Sequence, residues 1–288
     1  MNMNCAWEAY LSILPSKYKE QIKNNYQFSL QETRLRVGKV PTLITANGTA
    51  YLRGQVTVQD LQFCINASSG YSPWSARTMA DGYVTVEGGH RIGICGRAVV
   101  NQGKMTGISA ISSLSIRVAR DFEGISKDLS KLKGSILILG SPGTGKTTLL
   151  RDLIREKSNQ NIGNIAVVDE RMEIFPWYKE ETVFKQGPNT DVLTGCPKEQ
   201  GIHAVLRNMT PTVIALDEIT HPSDCEALIR AAWSGVELLA TAHARDEYEF
   251  YKRPVYKPLV ETNLFETLVI LRQDKTWYLE RNKQWVYA

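Results

Sequence analysis

The sequence predicts an α/β chain of two domains, an N-terminal α+β domain and then a domain on a mostly parallel sheet with antiparallel C-terminal edge strands. Three observations carry this. The chain has 288 residues, about two domains' worth. From Ser135 onward, short apolar runs alternate with amphipathic helical stretches, the pattern of a parallel sheet. Before that point, short β-prone runs are punctuated by glycine and proline without such alternation. The boundaries read as residues 1–120, a polar linker at 121–134, and residues 135–288.

The first segment reads as helix. Trp7, Tyr10, Leu11, Leu14, Tyr18 and Ile22 recur at helical spacing, and Pro15 should kink or restart the helix. Thr33–Val37 and Thr42–Thr45 read as short strands, and Leu61–Ala67 as a short helix. Tyr83 to Cys95 reads as a β-hairpin. A three-residue loop, Gly88–His90, sets Val86 opposite Ile92, Val84 opposite Ile94 and Glu87 opposite Arg91, keeping the apolar residues on one face. A further strand pair is expected around Ala98–Val100 and Ile116–Val118.

In the second domain the expected strands are Ile136–Leu139, Ile165–Asp169, Val213–Asp217 and Leu238–Ala242. Helices are expected near Lys146–Ser158, Gln200–Met209 and Pro222–Ser234. Leu264–Arg272, Thr276–Glu280 and Gln284–Tyr287 read as antiparallel edge strands. The stretch from Phe175 to Gly201 has few regular elements, and part of it is expected near the site or at a subunit contact.

Composition excludes several classes. Apolar residues make up 43% and charged residues 22%, an ordinary globular balance and not that of a disordered or collagen-like chain. The five cysteines, with no C-x-x-C pair, argue against a zinc site or a secreted disulfide framework and for a reducing cytosol. The N-terminus does not read as a signal peptide, and no apolar run is long enough to span a bilayer. The net charge of +4 divides unevenly: residues 1–134 carry +7 and residues 135–288 carry −3. A basic first domain can supply arginines to an anion held by the second, or meet an acidic partner or an anionic membrane face.

The strongest motif is Gly140-Ser141-Pro142-Gly143-Thr144-Gly145-Lys146-Thr147-Thr148, which fits G-x-x-x-x-G-K-[ST] between an expected strand and an expected helix. Glycines let the backbone wrap a phosphate with its N–H groups turned inward, and the helix N-terminus favours the anion. The motif predicts nucleoside triphosphate binding, with Lys146 on the β- and γ-phosphates and Thr147 on Mg²⁺.

About 70 residues later, Val213-Ile-Ala-Leu-Asp217-Glu218 is an apolar strand ending in two acids. There Asp217 is expected to hold Mg²⁺ and Glu218 to orient or activate a water. A third acidic strand end, Asp169-Glu170-Arg171, is expected beside the phosphate-loop strand. There its acids can position water or magnesium, or serve only in surface salt bridges. His243 closes the Leu238–Ala242 strand where a donor can sense a γ-phosphate, although a lone histidine is as often structural. Taken alone, Arg207 reads as a solvated helix charge.

These residues resemble the stage III sporulation protein AA family, related to the traffic ATPases of type II and type IV secretion. The resemblance rests on Glu32–Lys39, Gly88–Ala98 (GGHRIGICGRA), Ile111–Arg117, the phosphate loop, Val168–Arg171, Asp191–Lys198 (DVLTGCPK), Leu216–Ile219 and Ala240–His243. It implies a RecA-like P-loop NTPase domain that binds ATP and Mg²⁺. By position, Asp169 and Glu170 match the relatives' acidic box, Glu218 the acid of their second carboxylate motif, His243 their histidine box, and Arg207 the arginine of the preceding helix. It further implies a hexameric ring in which arginines of the N-terminal domain help close the nucleotide site, with Arg34, Arg36, Arg91, Arg97, Arg117 and Arg120 as candidates. Two departures stand out: secretion relatives often have glycine at Asp217, and Ile219-Thr-His-Pro-Ser223 replaces an expected glycine and acidic pair.

The function expected from motif and resemblance together is an ATP-hydrolysing ring motor of a membrane-associated secretion channel, between mother cell and forespore. It would be cytoplasmic and peripheral to the membrane through membrane-embedded channel components. The alternatives are a RecA-like motor on nucleic acid and a nucleotide-gated scaffold. No segment is rich enough in lysine, arginine and aromatics to favour nucleic acid.

Overall fold

A computed structural model describes residues 2–69, 82–178 and 181–281 of the chain. The chain divides into two compact units. One comprises residues 3–121 with Pro176–Val183, and the other comprises residues 122–175 and those from Phe184 onward.

The first unit opens with helices α1 (Trp7–Ser12) and α2 (Ser16–Ile22), broken at Pro15, which cannot donate a helical N–H bond. The strands β1 (Leu30–Arg36), β2 (Thr42–Thr45) and β3 (Gly48–Tyr51) follow, then helix α3 (Val58–Ser69). The strands β4 (Tyr83–Thr85), β5 (Arg91–Asn101) and β6 (Lys104–Arg117) complete an antiparallel sheet of order β3-β2-β1-β6-β5-β4. One face of this sheet is buried: Leu35, Leu43, Ile92, Leu114 and Ile116 pack in one cluster with Tyr10, Leu11, Leu14, Tyr18 and Ile22 of the helices. Tyr10 is fully buried and donates its hydroxyl to Thr33 Oγ1 at 2.7 Å, so its polar end does not offset its burial.

The hairpin register differs from expectation. Val84 stands opposite Ile92 and Thr85 opposite Arg91, with the loop at Glu87–Gly89 and Val86 N–H bonded to the His90 carbonyl. His90 decides this. Its imidazole is fully buried, 2.8 Å from the Ala6 carbonyl through Nε2, and its Nδ1 accepts the Ala119 N–H. His90 is therefore fixed in extended backbone just before β5, and the loop moves back by one residue. The valines and isoleucines still face the core, since the side-chain period is two.

The second unit is built on seven strands in the order β9-β8-β10-β11-β7-β12-β13. These are β7 (Ile136–Leu139), β8 (Ile165–Asp169), β9 (Thr190–Thr194), β10 (Val213–Leu216), β11 (Glu237–Ala242), β12 (Thr267–Leu271) and β13 (Trp277–Arg281). The helices are α4 (Lys146–Asn159), α5 (Lys198–Asn208), α6 (Pro222–Trp233), α7 (Glu247–Lys252) and α8 (Lys257–Glu261). All residues of β7, β8, β10 and β12 are buried, which is why these strands read as unbroken apolar runs.

Three further expectations are corrected, and a fourth lies outside the described residues. Strand β8 does not lie beside the phosphate-loop strand β7: β11 and β10 stand between them. Strand β12 pairs with β7 in parallel, and only β13 is antiparallel. The intervening α7 and α8 supply the long crossover that a parallel pairing needs. Gln284–Tyr287 lies outside the described residues. Within the stretch from Phe175 to Gly201, Thr190–Thr194 forms edge strand β9, and Trp177–Tyr178 pairs with Glu181–Thr182 in a small hairpin of the first unit.

Residues 122–134, inside the expected linker, pack against α4. The fully buried Asp152 carboxylate accepts the N–H groups of Gly124 and Ser126 and the Ser126 hydroxyl, and Lys157 donates to the Leu132 carbonyl at 2.7 Å. The segment is polar because it satisfies buried polar groups of a helix, a reason composition alone does not reveal.

Candidate functional site

The site lies at the C-terminal ends of parallel strands β7, β10 and β11. The chain leaves β7 into the loop Gly140–Gly145, which runs directly into α4. Gly143 and Gly145 have φ of +77° and +102°, a region costly for side chains. At Gly140 the limit is space: a Cβ there would stand 2.9 Å from the Leu271 carbonyl.

Lys146 is nearly buried, and its ammonium donates to the carbonyls of Gly140 (2.9 Å) and Ser141 (3.1 Å) and to His243 Nδ1 (3.0 Å). Burial pulls its pKa down, against the pull of Asp217 and Glu218. An ammonium can only donate, so His243 Nδ1 accepts and the imidazole proton sits on Nε2. That Nε2–H faces Glu218 Oε1 at 2.9 Å. Lys146, His243 and Glu218 thus form one chain of hydrogen bonds.

A second chain runs beside it. Thr147 Oγ1 donates to Asp217 Oδ2 at 2.6 Å, and the Thr241 hydroxyl donates to Asp217 Oδ1. Thr241 Oγ1 also accepts the Glu218 N–H at 2.8 Å. Glu218 has φ of +46°, an uncommon conformation for a residue with a side chain and a strain of order 1–3 kcal/mol. The turn beyond it is held by Asp224, whose carboxylate accepts the N–H groups of Thr220 and His221. Asp224 thus supplies a local anchor where the sequence departs from its relatives' expected glycine and acidic pair.

Asp169 and Glu170 reach the neighbourhood from the other side of β10. Together with Lys198, Asp217 and Glu218 they line one cleft. Asp169 is almost fully buried and accepts the N–H groups of Glu173 (2.8 Å), Ile174 (3.0 Å) and Phe175 (2.9 Å). Burial pushes its pKa up to about 6, the nearby Asp217 charge adds to that, and the three N–H bonds oppose it. With one oxygen taken by one N–H and the other by two, Asp169 shapes a loop. Glu170 pairs with Lys198 at 2.6 Å.

Arg207 does not join this group. It is exposed in the last turn of α5, about 14 Å of helix beyond Lys198, as the chain approaches the opposite end of β10.

The N-terminal arginines sort by sheet face. Arg34 and Arg36 on β1 alternate with buried Thr33 and Leu35, so they share the solvent side. The strand register places Arg117 of β6 opposite Glu32 and Arg91 of β5 opposite Arg117, on that same side. Arg34 pairs with Glu32, and Arg91 stands over the Tyr83 ring at 4.0 Å. Arg97 is exposed further along β5, opposite Ser109. Arg120 donates to the carbonyls of Leu30 and Gln27 (2.7 Å for the latter), so it serves the fold.

Sequence reasoning did not single out Thr241, Tyr256, Lys198 or Lys275. Tyr256 Oη accepts the His243 N–H at 3.2 Å. For Thr241 a signal was present: one polar residue, fully buried, in an otherwise apolar strand end.

Comparison with known proteins gives the family and the fold. The family described as Sporulation stage III, protein AA matches residues 9–278. The chain is 34% identical over 276 residues to Stage III sporulation protein AA of Bacillus subtilis (strain 168), covering 91% of this chain and 90% of that protein. Among solved structures, the pilus retraction motor PilT with bound ADP superposes with a TM-score of 0.58 at 17% identity, over 87% of this chain and 76% of PilT. The ATPase DotB of Legionella pneumophila gives 0.54 at 16% identity, over 88% and 76%. At these identities the likeness is one of fold, a RecA-like α/β fold shared with these two proteins.

Proposed function

Because the chain belongs to the Sporulation stage III, protein AA family, we propose that it is an ATP-hydrolysing motor of a membrane-associated secretion channel of sporulation. The observation that carries the reading is the pair of hydrogen-bond chains at the phosphate loop, Lys146–His243–Glu218 and Thr147–Asp217–Thr241.

Each residue has a task in that reading. The loop N–H groups and Lys146 hold the phosphates, and Lys146 gives up its carbonyl and His243 contacts as it turns to them. Thr147 and Asp217 are the residues that would hold Mg²⁺, and their oxygens already converge as a hard-cation site needs. Bound there, the metal would offset phosphate charge. Glu218 orients and deprotonates the attacking water. His243 reports Lys146's position to Glu218, since it bonds both. Asp169 and the Glu170–Lys198 pair keep the loop beside the cleft in shape. The face of Arg34, Arg36, Arg91 and Arg117 is the reservoir of positive charge from which an arginine would reach a nucleotide in the hexamer that the resemblance implies. Among the described residues, no helix is long and apolar enough to cross a membrane, so the reading assigns membrane attachment to channel partners.

The deciding experiment compares ATP binding and phosphate release in the wild type and Lys146→Ala. The expected result is turnover in the wild type and loss of binding in the variant. Equal binding by both removes the phosphate-loop assignment. Binding without turnover in the wild type favours a nucleotide-gated scaffold. Salt-sensitive retention on DNA in place of membrane-protein co-purification favours a nucleic-acid motor.

A further inference from the structure

We infer that Lys275, which lies outside the phosphate-loop motif, is a positioning residue for that loop and holds its peptide groups in the orientation that receives a nucleotide's phosphates. The inference rests on the nucleotide reading above. Lys275 sits in the tight turn between β12 and β13, 131 residues beyond Thr144, and its ammonium donates to the carbonyls of Gly143 (2.8 Å) and Thr144 (2.9 Å).

The consequence follows from peptide geometry. A carbonyl and the N–H of the next residue point in opposite directions across a planar peptide. Holding the Thr144 carbonyl on the outer side of the loop turns the Gly145 N–H to the inner side. The loop's left-handed glycines, Gly143 and Gly145, otherwise leave these peptide planes free to flip. Lys275 also adds a positive charge on the loop's outer side, while Lys146 is the charge that belongs to the phosphates themselves.

The turn itself is independent support. Lys275 has φ of +70°, where glycine is the unstrained choice. Asp274 Oδ1 accepts the N–H and hydroxyl of Thr276, and Lys275 N–H donates to the Arg272 carbonyl, so the turn is fixed around the strained residue. A lysine at a backbone conformation that favours glycine points to use of its side chain. Burial draws its pKa down.

The test titrates the full chain with ATP and with ADP, in Mg²⁺, for the wild type, Lys275→Gly, Lys275→Met, Lys275→Arg and Lys146→Ala, and records nucleotide-free melting. Lys275→Gly should melt at or above the wild type, because the turn strain is relieved. It should nevertheless bind both nucleotides about 10-fold more weakly. Lys275→Met should show the same loss, and Lys275→Arg should recover most of it. Wild-type affinity in the Gly and Met variants, with binding lost in Lys146→Ala, overturns the inference and leaves the nucleotide site intact. Affinity and melting temperature falling together in Lys275→Gly also overturn it, since Lys275 would then only hold up the fold. Wild-type affinity in Lys146→Ala overturns the nucleotide reading itself.

Discussion

Thr147 donates its hydroxyl to the Asp217 carboxylate at 2.6 Å, joining the first turn of α4 to the end of β10 across 70 residues of sequence. The two oxygens that would share a divalent cation are thus already together. Each should therefore depend on the other. Thr147→Ala and Asp217→Asn are each expected to lower Mg²⁺-dependent ATP turnover by about 10- to 100-fold, and the double variant should fall little further. Thr147→Ser should stay near the wild type. Steady-state phosphate release across a magnesium titration reads this directly, and fully additive losses would count against a shared site.

Glu218 is held by strain and by partners: a positive φ, its N–H on Thr241 and its carboxylate on His243. Glu218→Gln should keep ATP affinity within a few-fold and lose turnover by at least about 100-fold, as expected when a base is replaced by its isostere. Equilibrium binding with a fluorescent nucleotide, beside single-turnover hydrolysis, separates the two effects. Turnover at the wild-type rate would remove Glu218 from that role.

Asp169 makes stability depend on pH with a definite sign. Its folded pKa, near 6, lies above its ordinary 3.8, so between these values the folded chain binds more protons than the unfolded one. Stability from this group falls as pH rises from about 4 to about 6, by at most about 3 kcal/mol. Urea unfolding of the wild type and Asp169→Asn across that range should show their stability difference shifting against the wild type as pH rises. A pH-independent difference would mean that Asp169 titrates normally.

Arg120 and Arg36 should fail in different ways. Arg120 donates to two backbone carbonyls, so Arg120→Ala should cost about 1.5–3 kcal/mol per lost charged hydrogen bond at most and lower Tm. Arg36 is exposed on the arginine-bearing face, and Arg36→Ala should leave Tm within about 1 °C. Any loss it causes should appear in turnover. Calorimetry together with an ATPase assay distinguishes the two, and equal melting losses would contradict the sorting by face.

The order of elements was largely legible in the sequence, because hydrophobic period and punctuation are local properties. Strands β7, β8, β10 and β11 appear within a residue of where their apolar runs place them. Edge strand β9 was not legible: its sequence, Thr-Asp-Val-Leu-Thr, is neither an unbroken apolar run nor a clean alternation. The hairpin loop was misplaced by one residue because His90 looked like a loop residue until its two buried hydrogen bonds were seen.

For the site, the sequence by itself determined the phosphate loop, since a contiguous backbone segment carries its own conformation, and the acids at the β10 end, since a strand end has a fixed direction in a parallel sheet. Only the tertiary structure decided what depends on non-local pairing. Strand order put β8 beside β10 and away from β7. Helix length carried Arg207 away from the site, and the pleat gathered Arg34, Arg36, Arg91 and Arg117 on one face. A turn 131 residues beyond Thr144 brought Lys275 onto the phosphate loop. Residue type states which chemistry is available, but the distances that make it usable are set by packing and sheet register, which sequence-local preferences do not encode.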